Sequence, residues 1–201
     1  MKAYILLAIF WISYFALHSF LATNFVKEWA KKMNSSLFRY YRIFFNILST
    51  VLLVFILNYQ LNINESTLLN FGFFQNISAS IFLISGIYIL LIALKSFNKS
   101  EFFGIEQLHE KKIVNNSQFK PKLITSGWYA LVRHPLYFGV ILLMIGFVLF
   151  LANWSIILMT LITFIYLIIG TKLEEGKLIE TFGEEYKTYQ KKVKMLIPFI
   201  I

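Results

Sequence analysis

Five apolar stretches alternate with polar, mostly basic segments along the chain. They cover residues 3–26, 40–61, 77–94, 136–151 and 155–170. A helix rises about 1.5 Å per residue, so roughly 20 apolar residues cross about 30 Å of hydrocarbon. The first stretch is long enough for this and too long for the core of a signal peptide, whereas the last two are short for a full crossing. We predict an all-α integral membrane protein with five transmembrane helices.

The last two stretches are predicted to form a tight helical hairpin. Only Ala152-Asn153-Trp154 separates them, and so short a connection joins antiparallel helices. The hairpin brings its two remaining ends together, so His134 and Glu174 are expected to be neighbours although they are far apart in the sequence.

The polar tail over residues 173–193 is predicted to be a cytoplasmic amphipathic helix that continues out of the fifth span. Apolar side chains recur in it every three or four residues, which is the spacing of one helix face. They are Leu178, Phe182, Tyr186, Tyr189 and Val193. Such a helix can lie on the membrane surface or fold back over a site.

Basic residues predict the orientation in the membrane. All Lys and Arg except Lys2 fall in or beside the first connecting segment, the third connecting segment or the C-terminal tail. The positive-inside rule places these three regions in the cytoplasm. The N-terminus is then outside, and the C-terminus and the region around His134 are cytoplasmic.

Composition limits the classes of protein to which the chain can belong. The chain is 58% hydrophobic and 14% charged, which is too apolar for an ordinary soluble domain. We predict a single domain over 1–201, with a three-helix N-terminal part over 1–95. The absence of cysteine excludes disulfides, cysteine-ligated metals and a cysteine nucleophile. The net charge is +9, but its position between apolar spans favours the lipid bilayer over nucleic acid as the partner.

The segment Arg133-His134-Pro135 joins a basic region to the fourth apolar stretch. Proline suits the first turn of a helix, where its missing N–H has no helical acceptor. The first-turn amides lie at the positive end of the helix dipole, so together with Arg133 and His134 they can bind a carboxylate or a phosphate. A simpler interpretation also stays open, in which Arg133 contacts lipid headgroups and Pro135 only begins a helix.

Glu174 and Glu175 lie where the fifth stretch ends. Carboxylates are unfavourable at a helix C-terminus and near hydrocarbon. Adjacent helical residues point about 100° apart, so the two side chains cannot face one ligand equally. Either one of them faces a cytoplasmic pocket, or both form an ordinary interfacial pair neutralised by Lys172 and Lys177.

His18 is a further candidate because it lies within the first apolar stretch. A histidine inside a membrane is a functional candidate, and a structural hydrogen-bonding role is the alternative. No two histidines lie at the spacing of metal ligands, so no metal site is predicted.

Together these motifs resemble those of the membrane methyltransferases that use S-adenosylmethionine. The shared pattern is Gly127-x-Tyr129-x-x-x-Arg133-His134-Pro135-x-Tyr137, then Glu174-Glu175, then Phe182-Gly183-x-x-Tyr186-x-x-Tyr189. The superfamily includes isoprenylcysteine carboxyl, phospholipid N- and methanethiol S-methyltransferases. The methanethiol branch is the most similar, and Phe103-Gly104-Ile105-x-Gln107 is one of its features.

The resemblance implies an enzyme that transfers a methyl group from S-adenosylmethionine to a small or membrane-borne acceptor, foremost a thiol. It makes 96–201 the cofactor-binding catalytic part and assigns catalysis to His134, Glu174 and Glu175. The implied cofactor site comprises Arg133, His134, Pro135, Leu136, Tyr137, Gly104, Gln107, Glu174 and Glu175.

Alternatives to this assignment remain. A thiol acceptor must lose a proton, and His134, with an ordinary pKa of about 6.5, is the first candidate base, with a glutamate the second. Isoprenylcysteine carboxyl or phospholipid amine methylation is the alternative reaction. A non-enzymatic transporter or assembly protein is the alternative of another class.

Overall fold

The computed structural model of the chain describes residues 1–34, 38–68, 72–95, 100, 105 and 123–200. Within these ranges the chain is helical and holds no β-strand. Its elements are α1 (Lys2–Ala22), α2 (Asn24–Met33), α3 (Tyr41–Leu61), α4 (Phe73–Lys95), a 3₁₀ helix (Gly127–Ala130), α5 (Pro135–Leu151), α6 (Trp154–Phe182) and α7 (Glu184–Lys192). Gly104 and Gln107, which were predicted to frame the cofactor, lie outside the described residues.

Four of these helices, α1, α3, α4 and α6, are long and apolar enough to cross a membrane, and α5 is a shorter apolar helix. The predicted all-helical, multi-pass membrane protein agrees with this set. A crossing by α5, and with it the count of five spans, stays a prediction.

The chain forms two compact units. One unit contains α1, α2 and α3, and the other contains α4 to α7. The third long helix therefore packs with the C-terminal helices, and its most extensive helix contact is with α5.

In the first unit, α1 packs against α3. The indole N–H of Trp11 donates to Gln60 Oε1 over 3.1 Å, and both residues are buried. His18 Nδ1 lies 3.2 Å from the Ser49 hydroxyl on α3. His18 thus has a hydrogen-bonding partner between two apolar helices, which favours the structural interpretation of this residue.

In the second unit, α4 and α5 approach closely because small residues lie at their contact. A Cβ atom on Gly86 would lie only 2.9 Å from the carbonyl oxygen of Gly139, and one on Gly146 would lie 2.7 Å from Leu83 Cγ. Small residues of this kind let helix backbones approach in membranes, where van der Waals packing drives association.

The predicted hairpin between the last two apolar stretches is present as α5 and α6. Ala152 ends α5 in the left-handed region, with a φ of 43°. The Asn153 side chain then caps α6 by accepting from Ile156 N–H over 3.0 Å. Glu65 adds a second acceptor, 3.2 Å from Ser155 N–H, where a carboxylate is favoured by the helix dipole.

The tail differs from the single helix predicted over residues 173–193. α6 continues to Phe182, the chain turns at Gly183 with a φ of 58°, and α7 follows. Beyond α7, residues 193–197, here named the C-terminal strap, run beside the segment that precedes α5. Val132 and Lys194 form a parallel bridge, and Leu196, only 1% exposed, joins a cluster with Ile141 and Leu167.

Candidate active site

The two open ends of the α5–α6 hairpin carry the predicted site residues. Pro135 is the first residue of α5 and His134 its N-cap, and Glu174 and Glu175 lie on α6. His134 Nε2 is 3.4 Å from Glu175 Oε1, and His134 Nδ1 is 3.6 Å from Glu174 Oε2. The hairpin therefore brings the imidazole between both carboxylates.

Glu175 is the buried carboxylate of this pair. Its side chain is 13% exposed. Both Nε and Nη2 of Arg133 lie 2.6 Å from its Oε1. The Tyr186 hydroxyl donates to the same oxygen over 3.3 Å, and the Gln190 amide donates to Oε2 over 3.1 Å. Glu175 thus joins α6 to the segment before α5 and to α7.

Arg133 uses its remaining nitrogen on the backbone. Nη1 donates to the carbonyl oxygens of Gln190, over 3.2 Å, and of Val193. Its side chain is only 10% exposed. The planar guanidinium therefore ties the end of α7 to Glu175 through fixed, charge-assisted hydrogen bonds.

Glu174 points in a different direction and remains 46% exposed. The Tyr137 hydroxyl donates to its Oε2 over 2.8 Å, and His134 faces the same oxygen. The difference between the two glutamates follows from the step of about 100° between adjacent helical residues. Of the two, Glu174 is the carboxylate that a ligand can reach.

His134 is held on two sides and is almost fully buried, with 5% of its side chain exposed. Its ring stacks on that of Tyr137, with 5.6 Å between the centroids and 7° between the planes. Burial alone would lower the pKa of His134, but the hydrogen bonds and negative charges of Glu174 and Glu175 outweigh it, so the pKa lies above its ordinary value of 6.5. The surroundings favour the imidazolium form.

The C-terminal strap holds the backbone of this segment. Arg133 N–H donates to Lys194 O over 2.8 Å, and His134 N–H donates to Met195 O over 3.2 Å. These two N–H groups precede α5 and have no partner within that helix. The strap therefore supplies their acceptors and holds the backbone of Arg133 and His134 at the start of α5.

The tyrosines of α7 act as neutral donors. Burial raises the pKa of Tyr186, and it raises that of Tyr189 to about 12. Both therefore keep their hydroxyl protons near neutral pH. Tyr186 donates to Glu175 and Tyr189 donates to the carbonyl oxygen of Tyr129, so α7 is attached to the site at two points.

Some residues of this site carry a recognisable sequence pattern and others do not. Pro135 is buried and Leu136 half-buried at the start of α5, beside His134. Gln190 was not singled out, and the pairing of the strap with the segment before α5 was not predicted. Gln190 contributes both a side-chain donor and a backbone acceptor, and an isolated glutamine in a polar tail carries no pattern that would indicate this.

The fold and site together define a multi-pass membrane protein with a charge-paired site where a helical hairpin opens. The model of the phospholipid methyltransferase family matches residues 77–185, which is more than half of the chain and includes the whole hairpin. The chain belongs to this family, which confirms the resemblance of its motifs to membrane methyltransferases.

Curated relatives cover two branches of methyltransferases. The chain is 37% identical over 121 residues to the methanethiol S-methyltransferase of Pseudomonas deceptionensis, which is 55% of this chain and 41% of the relative. It is 36% identical over 109 residues to methanethiol S-methyltransferase 1 of Bradyrhizobium diazoefficiens, and the match covers 51% of this chain and 35% of that relative.

The second branch is represented by the protein-S-isoprenylcysteine O-methyltransferase of Schizosaccharomyces pombe. The chain is 38% identical to it over 79 residues, which cover 39% of this chain and 34% of that relative. These matches span less than half the length of each of the three relatives. No solved structure matches the chain.

Proposed function

We propose that the chain is an integral membrane methyltransferase that moves a methyl group from S-adenosylmethionine to a thiol. The observation that carries the proposal is the half-exposed Glu174 carboxylate beside His134 and Tyr137, inside the segment that matches the family. The relatives named methanethiol S-methyltransferase support the thiol.

The residues at the hairpin opening fit the proposed methyl donor. S-adenosylmethionine, when bound, supplies a methyl group on a sulfonium sulfur and carries an ammonium group as well. Glu174 is an accessible carboxylate that can face a positive charge. Pro135, Leu136 and Tyr137 offer apolar and aromatic surface next to it, and the resemblance adds Gly104 and Gln107.

Arg133 has a different part in this proposal from that of Glu174. A direct contact with the donor's carboxylate would require Arg133 to exchange one of its present acceptors, Glu175 or the backbone carbonyls of Gln190 and Val193. We assign it the positioning of Glu175 and His134, and through them of the donor.

Residues of the chain also handle the proton of a thiol acceptor. The thiolate is the nucleophile, so the S–H proton must leave before the new carbon–sulfur bond forms. His134 can accept this proton only when its ring is neutral. The two neighbouring carboxylates, however, favour the protonated ring. We therefore propose that Glu174 and His134 receive the proton as a pair, with Glu174 the accessible member.

The energetic demand on the chain is mainly one of positioning. Alignment of nucleophile and methyl carbon can contribute up to roughly 7–11 kcal/mol in ideal systems. The Arg133–Glu175 pair and the strap hold His134 on both sides, which suits that role.

The proposed orientation places the hairpin opening on the cytoplasmic side, with the N-terminus outside, because the basic residues cluster on the side of that opening.

A second candidate reaction is methylation of an isoprenylcysteine carboxyl group. The relative from Schizosaccharomyces pombe, named for that reaction, is 38% identical over 79 residues. This acceptor is already a carboxylate at neutral pH, so no proton would have to be removed.

The test uses the purified full chain in detergent. Calorimetric titration with S-adenosylmethionine comes first, followed by methyl-transfer assays with a short-chain thiol, a prenylcysteine and a phospholipid amine. We expect binding and then transfer to the thiol. Transfer only to the prenylcysteine or to the phospholipid amine would replace the thiol assignment.

A matched pair of variants locates the site. Glu174→Gln should weaken S-adenosylmethionine binding about tenfold or more, since a charge-assisted contact contributes about 1.5–3 kcal/mol. Glu180→Gln makes the same change at an exposed position of α6 and should leave binding unaltered. A folded wild-type chain that does not bind S-adenosylmethionine would favour the non-enzymatic transporter or assembly protein.

A further inference from the structure

The short helix α2 has an exposed apolar stripe. Phe25, Trp29 and Met33 follow one another at intervals of four residues and therefore lie within about 80° of one another on the helix. Their exposed fractions are 74%, 57% and 68%. Three large apolar side chains so exposed on a single short helix indicate a surface that another apolar phase covers.

The rest of α2 divides into a face on the protein and a charged face. Val26, next to the stripe, is buried, so one edge of the apolar face packs on the first unit and the other edge faces outward. Lys27 and Lys31 lie on the opposite side of the helix, and Lys32 lies at the other margin of the stripe. Three lysines against Glu28 make the helix basic.

The position of α2 in the chain indicates what covers the stripe. α1 is long and apolar enough to cross a membrane and ends at Ala22. Thr23 alone separates the two helices, with an extended ψ of 149°, and its side chain caps α2 by accepting from Val26 N–H. α2 therefore begins within one residue of the end of a membrane-length helix, and a crossing by α1 would place it at the level of the lipid headgroups.

We infer that α2 is an interfacial helix that inserts Phe25, Trp29 and Met33 into the bilayer and binds anionic lipid headgroups through Lys31 and Lys32. The residue types of α2 suit the apolar interior of the bilayer on one side and the lipid headgroups on the other. Tryptophan prefers the membrane–water interface, and a helix with one apolar and one lysine-rich face binds anionic lipid surfaces. This assignment is independent of the proposed methyl transfer.

The test exploits the absence of cysteine from the chain. Single cysteines at Phe25 and at Met33 each carry a spin label in the full chain, reconstituted in phosphatidylcholine–phosphatidylglycerol vesicles. Lys31→Cys is the matched control, because residue 31 is exposed on the opposite side of the same helix. Collisions of each label with oxygen, which concentrates in lipid, are compared with collisions with a water-soluble nickel complex.

The expected result is a difference in probe accessibility between the two sides of α2. Labels at 25 and 33 should collide with oxygen severalfold more often, relative to nickel, than the label at 31. Free access of nickel to all three labels would show that the stripe lies in water and would overturn the inference. Exclusion of both probes at 25 and 33 would mean that a protein surface covers the stripe, such as a second copy of the chain, and would also overturn it.

The lipid preference is tested separately with spin-labelled lipids. Wild-type protein should retain phosphatidylglycerol over phosphatidylcholine, and Lys31→Gln with Lys32→Gln should reduce that ratio severalfold. Lys191→Gln with Lys192→Gln removes the same charge from exposed positions of α7 and should reduce it less. An equal reduction in the two double variants, or none in either, would overturn the assignment of the anionic-lipid site to α2.

Discussion

Arg133 and Glu175 form the ion pair that joins three separate parts of the second unit. Two guanidinium nitrogens of Arg133 lie 2.6 Å from the same carboxylate oxygen of Glu175, and the third reaches the carbonyl oxygens of Gln190 and Val193. The segment before α5, the middle of α6 and the end of α7 thus meet at one pair. Because both side chains are largely buried, neither charge is well hydrated when its partner is removed.

Glu175→Gln should therefore destabilise the protein. It leaves the Arg133 guanidinium buried without its counter-charge, and breaking a buried pair in this way costs about 3–5 kcal/mol. Glu174→Gln is the matched control, since Glu174 is 46% exposed and should cost under about 1 kcal/mol. Thermal unfolding in detergent measures both, and equal losses for the two variants would contradict the different roles described for the glutamates.

Gln190→Met should lower stability through the same carboxylate. The substitution keeps the backbone carbonyl that Arg133 uses but removes the amide donor from Glu175 Oε2. A lost hydrogen bond to a buried charged group costs about 1.5–3 kcal/mol. Lys191→Met alters the adjacent, exposed residue and should change the unfolding temperature little. If Gln190→Met behaved like Lys191→Met, the amide would have no part in holding Glu175.

The pH dependence of stability should report the charge on His134. Its pKa is raised above 6.5 in the folded protein, so the stabilisation from the imidazolium is fully present below about pH 6.5 and disappears as the pH rises through the folded-state pKa. The difference in unfolding temperature between wild type and His134→Asn should be largest in mildly acidic buffer and shrink towards alkaline pH. A difference that grows with pH would mean that the ring is neutral at its site.

Gly86→Ala should disturb the contact between α4 and α5. The added Cβ atom would lie 2.9 Å from the Gly139 carbonyl oxygen and 2.9 Å from Leu143 Cγ, and overpacking of this kind costs about 1–3 kcal/mol. Gly170→Ala, in α6, meets no atom within 4 Å and should stabilise its helix by up to about 1 kcal/mol. Opposite shifts in unfolding temperature are expected, and shifts of the same sign would contradict the close approach.

Leu196→Ala should loosen the C-terminal strap. Leu196 is 1% exposed and packs in a cluster with Ile141 and Leu167, and truncation of a buried leucine costs about 2–5 kcal/mol. Ile200→Ala, at a residue that is 72% exposed, serves as the control. Amide hydrogen exchange should rise at His134 in Leu196→Ala, because that N–H is bound by Met195 O. Unchanged exchange at His134 would show that the strap does not hold it.

The sequence by itself determined the long apolar helices and which end of the hairpin carries the site, whereas the break at Gly183 and the short helix α2 were not predicted. Runs of apolar residues indicate the long helices, because each turn of a helix in lipid must satisfy its own backbone and present apolar side chains. Pro135 indicates where α5 begins, and Ala152-Asn153 leaves no room for anything but a reversal. The meeting of His134 with Glu174 and Glu175 follows from these local features alone.

Only the tertiary structure decided which of these residues are buried, which stay accessible and which partners they bind. Which glutamate is buried depends on the rotation of α6 about its axis, and the sequence places Glu174 and Glu175 side by side without defining that rotation. Arg133 acquires its acceptors from Gln190 and Val193, which lie far along the chain, and α4 joins α5 through close contact at Gly86 and Gly139. Such pairings depend on the packing of whole helices, because the free energy of a buried contact resides in both partners and no local pattern contains both.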